Sequence, residues 1–441
     1  MFIGYFTERP YQDRDAPWYK HHHGMQDLSL SNGSYNPELG AELYNRYFDE
    51  KLYIEEMGFD GLMLNAHHST PFCMGGGAMN LEAAVLARIT KKLKIALMGN
   101  VLPIWDDPLT LAEELAIIDL ISEGRLVSGF VRGTGRESIA HNAQPPYNWE
   151  RFQEAHDLVM AAWTRPGPFR WEGEHFQYRY VNPWMRPYQQ PYPQIWVPGV
   201  LSKSTVAWAA AHRYPYVMLD SKLEMTAQTF EYYRQQAREA GYEAGTQHFA
   251  YMFKLHVDET EEQAYETGRK LIEGPGNLFL DGSNGKPNPW AQNLPGFNAR
   301  GKGKFLPTAD YYAVQESRGL VGTKRANNPA FTEAASTPEE HDARRRQIFD
   351  SLLDRHAAIV GTPDSVVPKI RRILEELRPG AIFIWHGDGD FTHEDTMRGV
   401  RLMGEHVLPA IREMGRDLDL QGPFDVDPRT NEPVEPVAVA S

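Results

Sequence analysis

Two rhythms of apolar residues alternate along this chain. Short apolar runs recur at Phe2–Phe6, Phe59–Leu64, Ile95–Met98, Leu126–Val131, Gln194–Pro198, Tyr216–Asp220, Phe249–Val257 and Ala381–Trp385. They are too short for helices and run into Gly or polar residues, so they predict buried strands. Between them apolar positions take helical spacing, as at Leu109, Leu111, Ala112, Leu115, Ile118 and Leu120. The helices predicted this way cover 41–57, 80–89, 106–123, 151–163, 202–212, 225–240, 259–272, 344–356 and 392–414. A further one starts after Thr362, its N-cap, with Pro363 at the first helical position. The stretch Lys94–Glu137 is the clearest unit: a strand, a helix stopped by Gly124, and a second strand, hence a βαβ crossover.

Eight strands alternating with helices predict an α/β fold, a (β/α)8 TIM barrel. A doubly wound sheet would place a Gly-x-Gly-x-x-Gly turn after the first strand, where Thr7-Glu-Arg-Pro10 stands. The pattern fails over Gly274–Glu333, rich in Gly, Pro, Asn and Lys. That stretch is expected to be a long insertion between strands 7 and 8 that partly covers the site and moves. The Pro- and Trp-rich segment 166–193 reads as irregular structure near a rim. The domain organisation expected is one barrel over 1–423, the insertion 274–333 within it, and a tail over 424–441, packed on the surface or disordered.

The totals narrow the partners. The chain has 441 residues and a formal net charge of −14, without a long basic run. This argues against nucleic acid and against an anionic membrane. One cysteine, Cys73, excludes an intrachain disulfide framework. Neither a secretory signal nor a run of 18 apolar residues is read, so a soluble, cytoplasmic protein is expected.

In a barrel, chemistry collects at the carboxyl ends of the strands. That gathers Glu8, Asn65, His67, His68, Asn100, Arg132, Asp220 and His386 around one mouth. His67 and His68 are adjacent, so strand alternation sends them opposite ways, and a His-x-His pair that would hold a metal from one strand is absent. No catalytic metal is expected; one of the two histidines is an acid/base candidate. The triplet His21-His-His23 reads as a solvated loop, and Gly75-Gly-Gly77 lacks the pattern of a nucleotide loop. Arg132 is either a salt-bridging surface residue or an anion site, and Ser202, Ser204 and Thr205 either cap a helix or bind an anion at its start. Following neighbouring strands, the two together suggest a phosphate. Trp105, Trp184 and Trp385 either line an apolar pocket or pack.

Several ordered motifs point to a family. They are Glu55-Glu-Met-Gly-Phe-Asp-Gly-Leu-Met-Leu-Asn-Ala-His-His68, Gly99-Asn-Val-Leu-Pro-Ile-Trp-Asp-Asp-Pro108, Ala112–Arg125 with Gly129-Phe-Val-Arg-Gly133, Arg151-Phe-Gln-Glu-Ala, Trp171-Glu-Gly-Glu-His-Phe and Val360-Gly-Thr-Pro-Asp. From Phe2 to about Met414 the chain resembles the bacterial-luciferase-like flavin monooxygenases, whose fold is a (β/α)8 barrel with a late insertion. The resemblance implies reduced FMN (FMNH2) at the strand ends, its phosphate at Arg132, Ser202, Ser204 and Thr205. It puts the acid/base histidine at His67 and a non-proline cis peptide at Met98-Gly99, with Asn100, beside the isoalloxazine. Glu8, His68, Trp105, Asp220 and His386 are then the expected substrate pocket. Two departures stand out. Ala66 replaces the acidic residue before the histidines, so a carboxylate orienting His67 has to come from elsewhere. Val131 stands where luciferase carries a reactive cysteine, which weakens light emission as an output.

The reading that results is a two-component FMNH2-dependent monooxygenase. A separate NAD(P)H:flavin reductase supplies FMNH2, O2 is the co-substrate, and a flavin hydroperoxide oxidises a small organic substrate. The resemblance also implies a homodimer or homotetramer. The alternatives are an F420-dependent oxidoreductase on the same fold, for which Lys302, Lys304, Lys324 and Arg325 would supply a basic rim, and a flavin-binding protein without turnover.

Overall fold

A computed structural model describes residues 1–20, 31–74, 79–133, 135–143, 147–200, 202–272, 338–354 and 356–434. Its strands are β1 (Phe2–Phe6), β2 (Gly61–Leu64), β3 (Lys94–Val101), β4 (Leu126–Val131), β5 (Phe169–Glu172), β6 (Gln177–Val181), β7 (Gln194–Gly199), β8 (Tyr216–Leu219), β9 (Phe249–Val257), β10 (Ala358–Gly361) and β11 (Ala381–Trp385). All pairings of the main sheet are parallel, and it closes: β1-β2-β3-β4-β7-β8-β9-β11, with β11 back on β1. The barrel strands are the eight expected from the sequence.

Two elements lay outside that expectation. The rim segment holds a cis Gly167-Pro168 bond and, within it, the antiparallel hairpin β5–β6. The short run Ala358–Gly361 adds β10 to the upper half of β9. The insertion 274–333, its four basic residues, the His21–His23 triplet and the Gly75–Gly77 turn lie outside the described residues.

Local signals set the helix limits. In the helix Pro108–Ser122, the Asp107 carboxylate accepts the amide protons of Leu109 and Thr110, and Pro108 pre-sets the first turn. Glu123, in the left-handed region at φ 53°, ends that helix one residue before Gly124. Thr362 is indeed the N-cap of Pro363–Leu377, but its hydroxyl donates to Glu261 at 2.9 Å instead of capping. Among the described residues no helix is long and apolar enough to cross a membrane.

Strand alternation sorts side chains into an inner and an outer core. Phe2, Phe6, Met63, Met98, Trp196 and Trp385 belong to the inner cluster, whereas Tyr5, Leu62, Leu97 and Ile384 pack under the helices. At the lower end Phe2, Trp196 and Phe383 meet edge to face, and Phe424 of the tail closes against Phe2 and Trp196. The tail is therefore part of the barrel floor as far as its described residues go. Gln194 Nε2 donates to Pro423 O at 2.7 Å, and His248 Nε2 lies 2.9 Å from Pro428 O.

His248 is fully buried at the foot of β9, and burial pushes its ring down to about 4. A depressed folded value means that its stabilising contribution is complete above about pH 6.5 and is lost as pH falls toward 4. Between pH 7 and 4 the wild type should lose about 3 kcal/mol more than His248→Gln. Denaturant midpoints of the two proteins across that range test it; parallel pH profiles would remove His248 from the acid limb.

Candidate active site

The end of β1 carries Thr7, Glu8 and Arg9 into the mouth. One carboxylate from the turn after β11 holds the first two. Asp388 Oδ1 accepts from Thr7 Oγ1 at 2.6 Å and from the Glu8 amide at 2.8 Å, and its Oδ2 accepts from the Trp385 indole. Complete burial, followed by the charge of Glu8, pushes the Asp388 carboxyl up to about 7. The Asn65 amide, from the end of β2, donates to Glu8 Oε2. Arg9, fully buried, donates to Thr7 O and Asn65 O and pairs with Glu82 at 3.1 Å.

His67 follows in the turn after β2. Its Nδ1 lies 2.9 Å from Glu137 Oε1, and its Nε2 faces Glu8 Oε2 at 3.8 Å. Glu137, in the first turn of the short helix Gly135–Ala140, is thus the orienting carboxylate that position 66 lacks. A carboxylate only accepts, so Nδ1 carries the proton and Nε2 is left for chemistry. Neither Glu137 nor Asp388 was singled out from sequence. The missing acid at Ala66 was the one signal that such a partner had to exist.

Beside this group runs the end of β3. A Cβ on Gly99 would come within 2.3 Å of the Ala66 amide nitrogen, so only glycine allows β3 this close to the turn bearing His67. The expected cis bond at Met98-Gly99 is not there: the cis bonds among the described residues are Gly167-Pro168 and Gln190-Pro191. The close approach is met instead by a register shift against β4 between Leu97 and Asn100. Met98 belongs to the inner core, and Asn100 is buried with its amide Nδ2 unpartnered among the described residues.

The anion candidates do come together. Arg132 Nη2 donates to Ser202 Oγ at 3.2 Å, and that hydroxyl lies 3.2 Å from Ser204 Oγ and 3.1 Å from Thr205 Oγ1. The Arg132 guanidinium also lies over the Trp149 ring, 5.3 Å from its centroid. Ser202 is the N-cap of Lys203–Ala211, yet its side chain makes no capping hydrogen bond. Of the two readings of this triplet, the uncapped helix start beside a guanidinium favours an anion. The residues fit FMN at both ends: hydroxyls, amides and Arg132 for a phosphate, and the buried Asn100 amide for a ring heteroatom.

Other candidates fall elsewhere. His68 turns from His67 onto the ring of His141, 4.1 Å between centroids; burial, then that neighbour, pushes it down to about 4. Asp220 pairs with Lys254, whose ammonium sits 3.8 Å from the Trp385 ring centroid. Trp105 packs half-buried on the outer core, and Trp184 is 87% exposed, so it lines nothing. His386 is not in the mouth. Trp385 points inward and alternation sends His386 outward, where it bonds Tyr5 OH, stacks on His256 and lies under the helix His393–Leu402 at Gly399.

Known proteins share this architecture. An alkanal monooxygenase alpha chain from Photobacterium leiognathi is 26% identical over 256 residues, 57% of this chain and 71% of that one. The oxygenase component of a flavin-dependent trigonelline monooxygenase from Acinetobacter baylyi is 28% identical over 159 residues, 35% of this chain and 43% of that one. In fold, the chain is similar to the oxygenating constituent of 3,6-diketocamphane monooxygenase from Pseudomonas putida, solved with FMN, at a TM-score of 0.64 and 18% identity, covering 93% of this chain and 98% of that one. An F420-dependent secondary alcohol dehydrogenase is similar at a TM-score of 0.56 and 14% identity, covering 93% and 99%. The sequence pattern of the luciferase-like monooxygenases matches residues 37–379, most of the chain, and with the barrel described above this places the protein in the luciferase-like monooxygenase family of flavin-dependent enzymes.

Proposed function

We propose that this protein is the oxygenase of a two-component system, using FMNH2 from a separate reductase and O2 to oxygenate a small organic substrate. The observation that carries the reading is His67, held by Glu137 at the mouth, on the same barrel end as the Arg132–Ser202 cluster. Bound reduced flavin supplies the electrons that activate O2. Arg132 and the hydroxyls of Ser202, Ser204 and Thr205 hold the phosphate. Asn100 offers its amide to the ring. Phe6 and Trp385, edge to face at 5.2 Å, keep water from the floor of the mouth. His67 moves a proton at Nε2.

The partner of the oxygenase, apart from the reductase, is a second copy of itself. Leu81, Val85 and Ile89 form an exposed stripe on the helix Met79–Ile89, and Ile117, Leu120 and Ile121 another on the adjoining Pro108–Ser122. Such a contiguous aliphatic face supports a homodimer interface. Val85→Glu combined with Ile117→Glu should shift the protein from dimer to monomer in sedimentation; a monomeric wild type would remove the interface.

Arg132→Ala should weaken FMNH2 binding by about 2 kcal/mol, the worth of a charge-assisted hydrogen bond. Riboflavin, lacking the phosphate, should bind the two proteins nearly alike, and equal losses for both flavins would move the phosphate elsewhere.

His67→Asn should still bind FMNH2 and consume oxygen. Its product should fall about 100-fold or more, with hydrogen peroxide in its place, the usual scale for lost acid/base catalysis. His68→Asn, which alters a ring facing His141, should do much less. The decisive assay is oxygen uptake and product formation over a substrate panel with a flavin reductase present. Full product from His67→Asn would take that residue out of the reaction. Anaerobic turnover with F420, and none with FMNH2 and O2, would replace the monooxygenase with the hydride-transfer alternative.

A further inference from the structure

Monooxygenation asks for two proton transfers to one oxygen, which a single imidazole nitrogen can make only one at a time. Reduced flavin, O2 and substrate give oxidised flavin, oxygenated substrate and water, so one oxygen ends with two protons. His67 offers a single position, Nε2, because Nδ1–H is engaged by Glu137 at 2.9 Å. The group facing Nε2 is Glu8 Oε2, 3.8 Å away. That is too long for a direct hydrogen bond, but an oxygen about 2 Å off the line between them lies about 2.8 Å from both. Ring and carboxylate form a pincer on one atom. Resting on the flavin reading above, we propose that Glu8 is a second acid/base residue of this site, acting with His67 on the oxygen that leaves as water.

The surroundings of Glu8 suit that role. It is buried, yet the nearest guanidinium, Arg9, is paired with Glu82. Asn65 fixes Oε2 from the β2 side, and Asp388 fixes the Glu8 backbone from the β11 side. Asp388 is also the like charge beside it, with its own carboxyl pushed up to about 7 by burial and by Glu8. Among the described residues, Arg9, His67 and Asp388 interact with Glu8, and Glu137 stands behind the His67 ring. Protons balance: flavin oxidation releases two, the pincer passes two to the departing oxygen, and the pair ends each turnover as it began.

Two measurements test the pair. A crystal structure of the flavin-free wild type should hold a water within about 3.2 Å of both Nε2 and Oε2. Direct contact below about 3 Å would make Glu8 an ion-pair partner that only steadies the ring, and would overturn the proposal. With FMNH2 supplied by a reductase, Glu8→Gln should keep consuming oxygen but lose product about 100-fold or more to hydrogen peroxide. One limb of the pH profile for product should vanish, Glu8→Asp should recover part of the yield, and adding His67→Asn to Glu8→Gln should cost little more. Product within twofold of wild type, or losses that multiply in the double variant, would also overturn it. Turnover by the wild type with F420 alone would sink the monooxygenase reading separately, and the crystal structure would still decide whether Glu8 and His67 share one oxygen.

Discussion

Strand alternation inside a closed barrel is the constraint on which everything else here depends. Each strand offers one side chain to the interior at each level, so parity decides which residues meet there. Phe2, Trp196 and Phe383 take the inward parity and fill the lower barrel with rings, and Phe6 and Trp385, of the same parity, lie above them at the floor of the mouth. The polar groups of the mouth stand above these rings. The same rule that puts Trp385 in the mouth removes its neighbour His386 to the far side of the sheet, against His256 and Phe391.

Several polar groups at the top are held by a neighbour from another part of the barrel. Asp388 ties β11 to β1 through Thr7 and the Glu8 amide, Asn65 ties β2 to Glu8, and Glu137 ties the turn after β4 to His67. Lys254 of β9 is balanced by Asp220 at the end of β8. Buried charges are costly unless paired, and removing one partner leaves the other stranded. Each of these groups at the mouth is consequently fixed by a partner. The Arg132–Ser202 cluster differs: its hydroxyls are linked to one another while the helix start behind them remains uncapped.

The barrel was legible because parallel strands buried on both faces leave unmistakable apolar runs, and the helices between them carry the complementary period. That His67, Arg132 and Ser202 gather at one end of the barrel was legible because each follows the carboxyl end of a strand. Glu137 and Asp388 were not. Each reaches its partner across a separation in sequence that no local pattern encodes, Glu137 from a short helix and Asp388 from a turn. The β5–β6 hairpin was missed because its strands are largely exposed and lack a strong apolar period. The tail escaped notice as a floor because a single aromatic, Phe424, does the closing, and one ring in a Pro-rich stretch looks like any surface residue.

Closure of β1 has a consequence for how the chain is made. Phe2 takes its register from Ala381, and Phe6 from Trp385. On a ribosome moving at roughly 5–20 residues per second, β11 emerges roughly 20–80 s after β1. During that interval β1 has β2 on one side and an open edge on the other, with two phenylalanines whose companions Phe383 and Trp385 are not yet synthesised. An aromatic strand edge of that kind is a template for the wrong partner. Until β11 docks, that edge of β1 stays unpaired, a hazard that composition alone does not reveal.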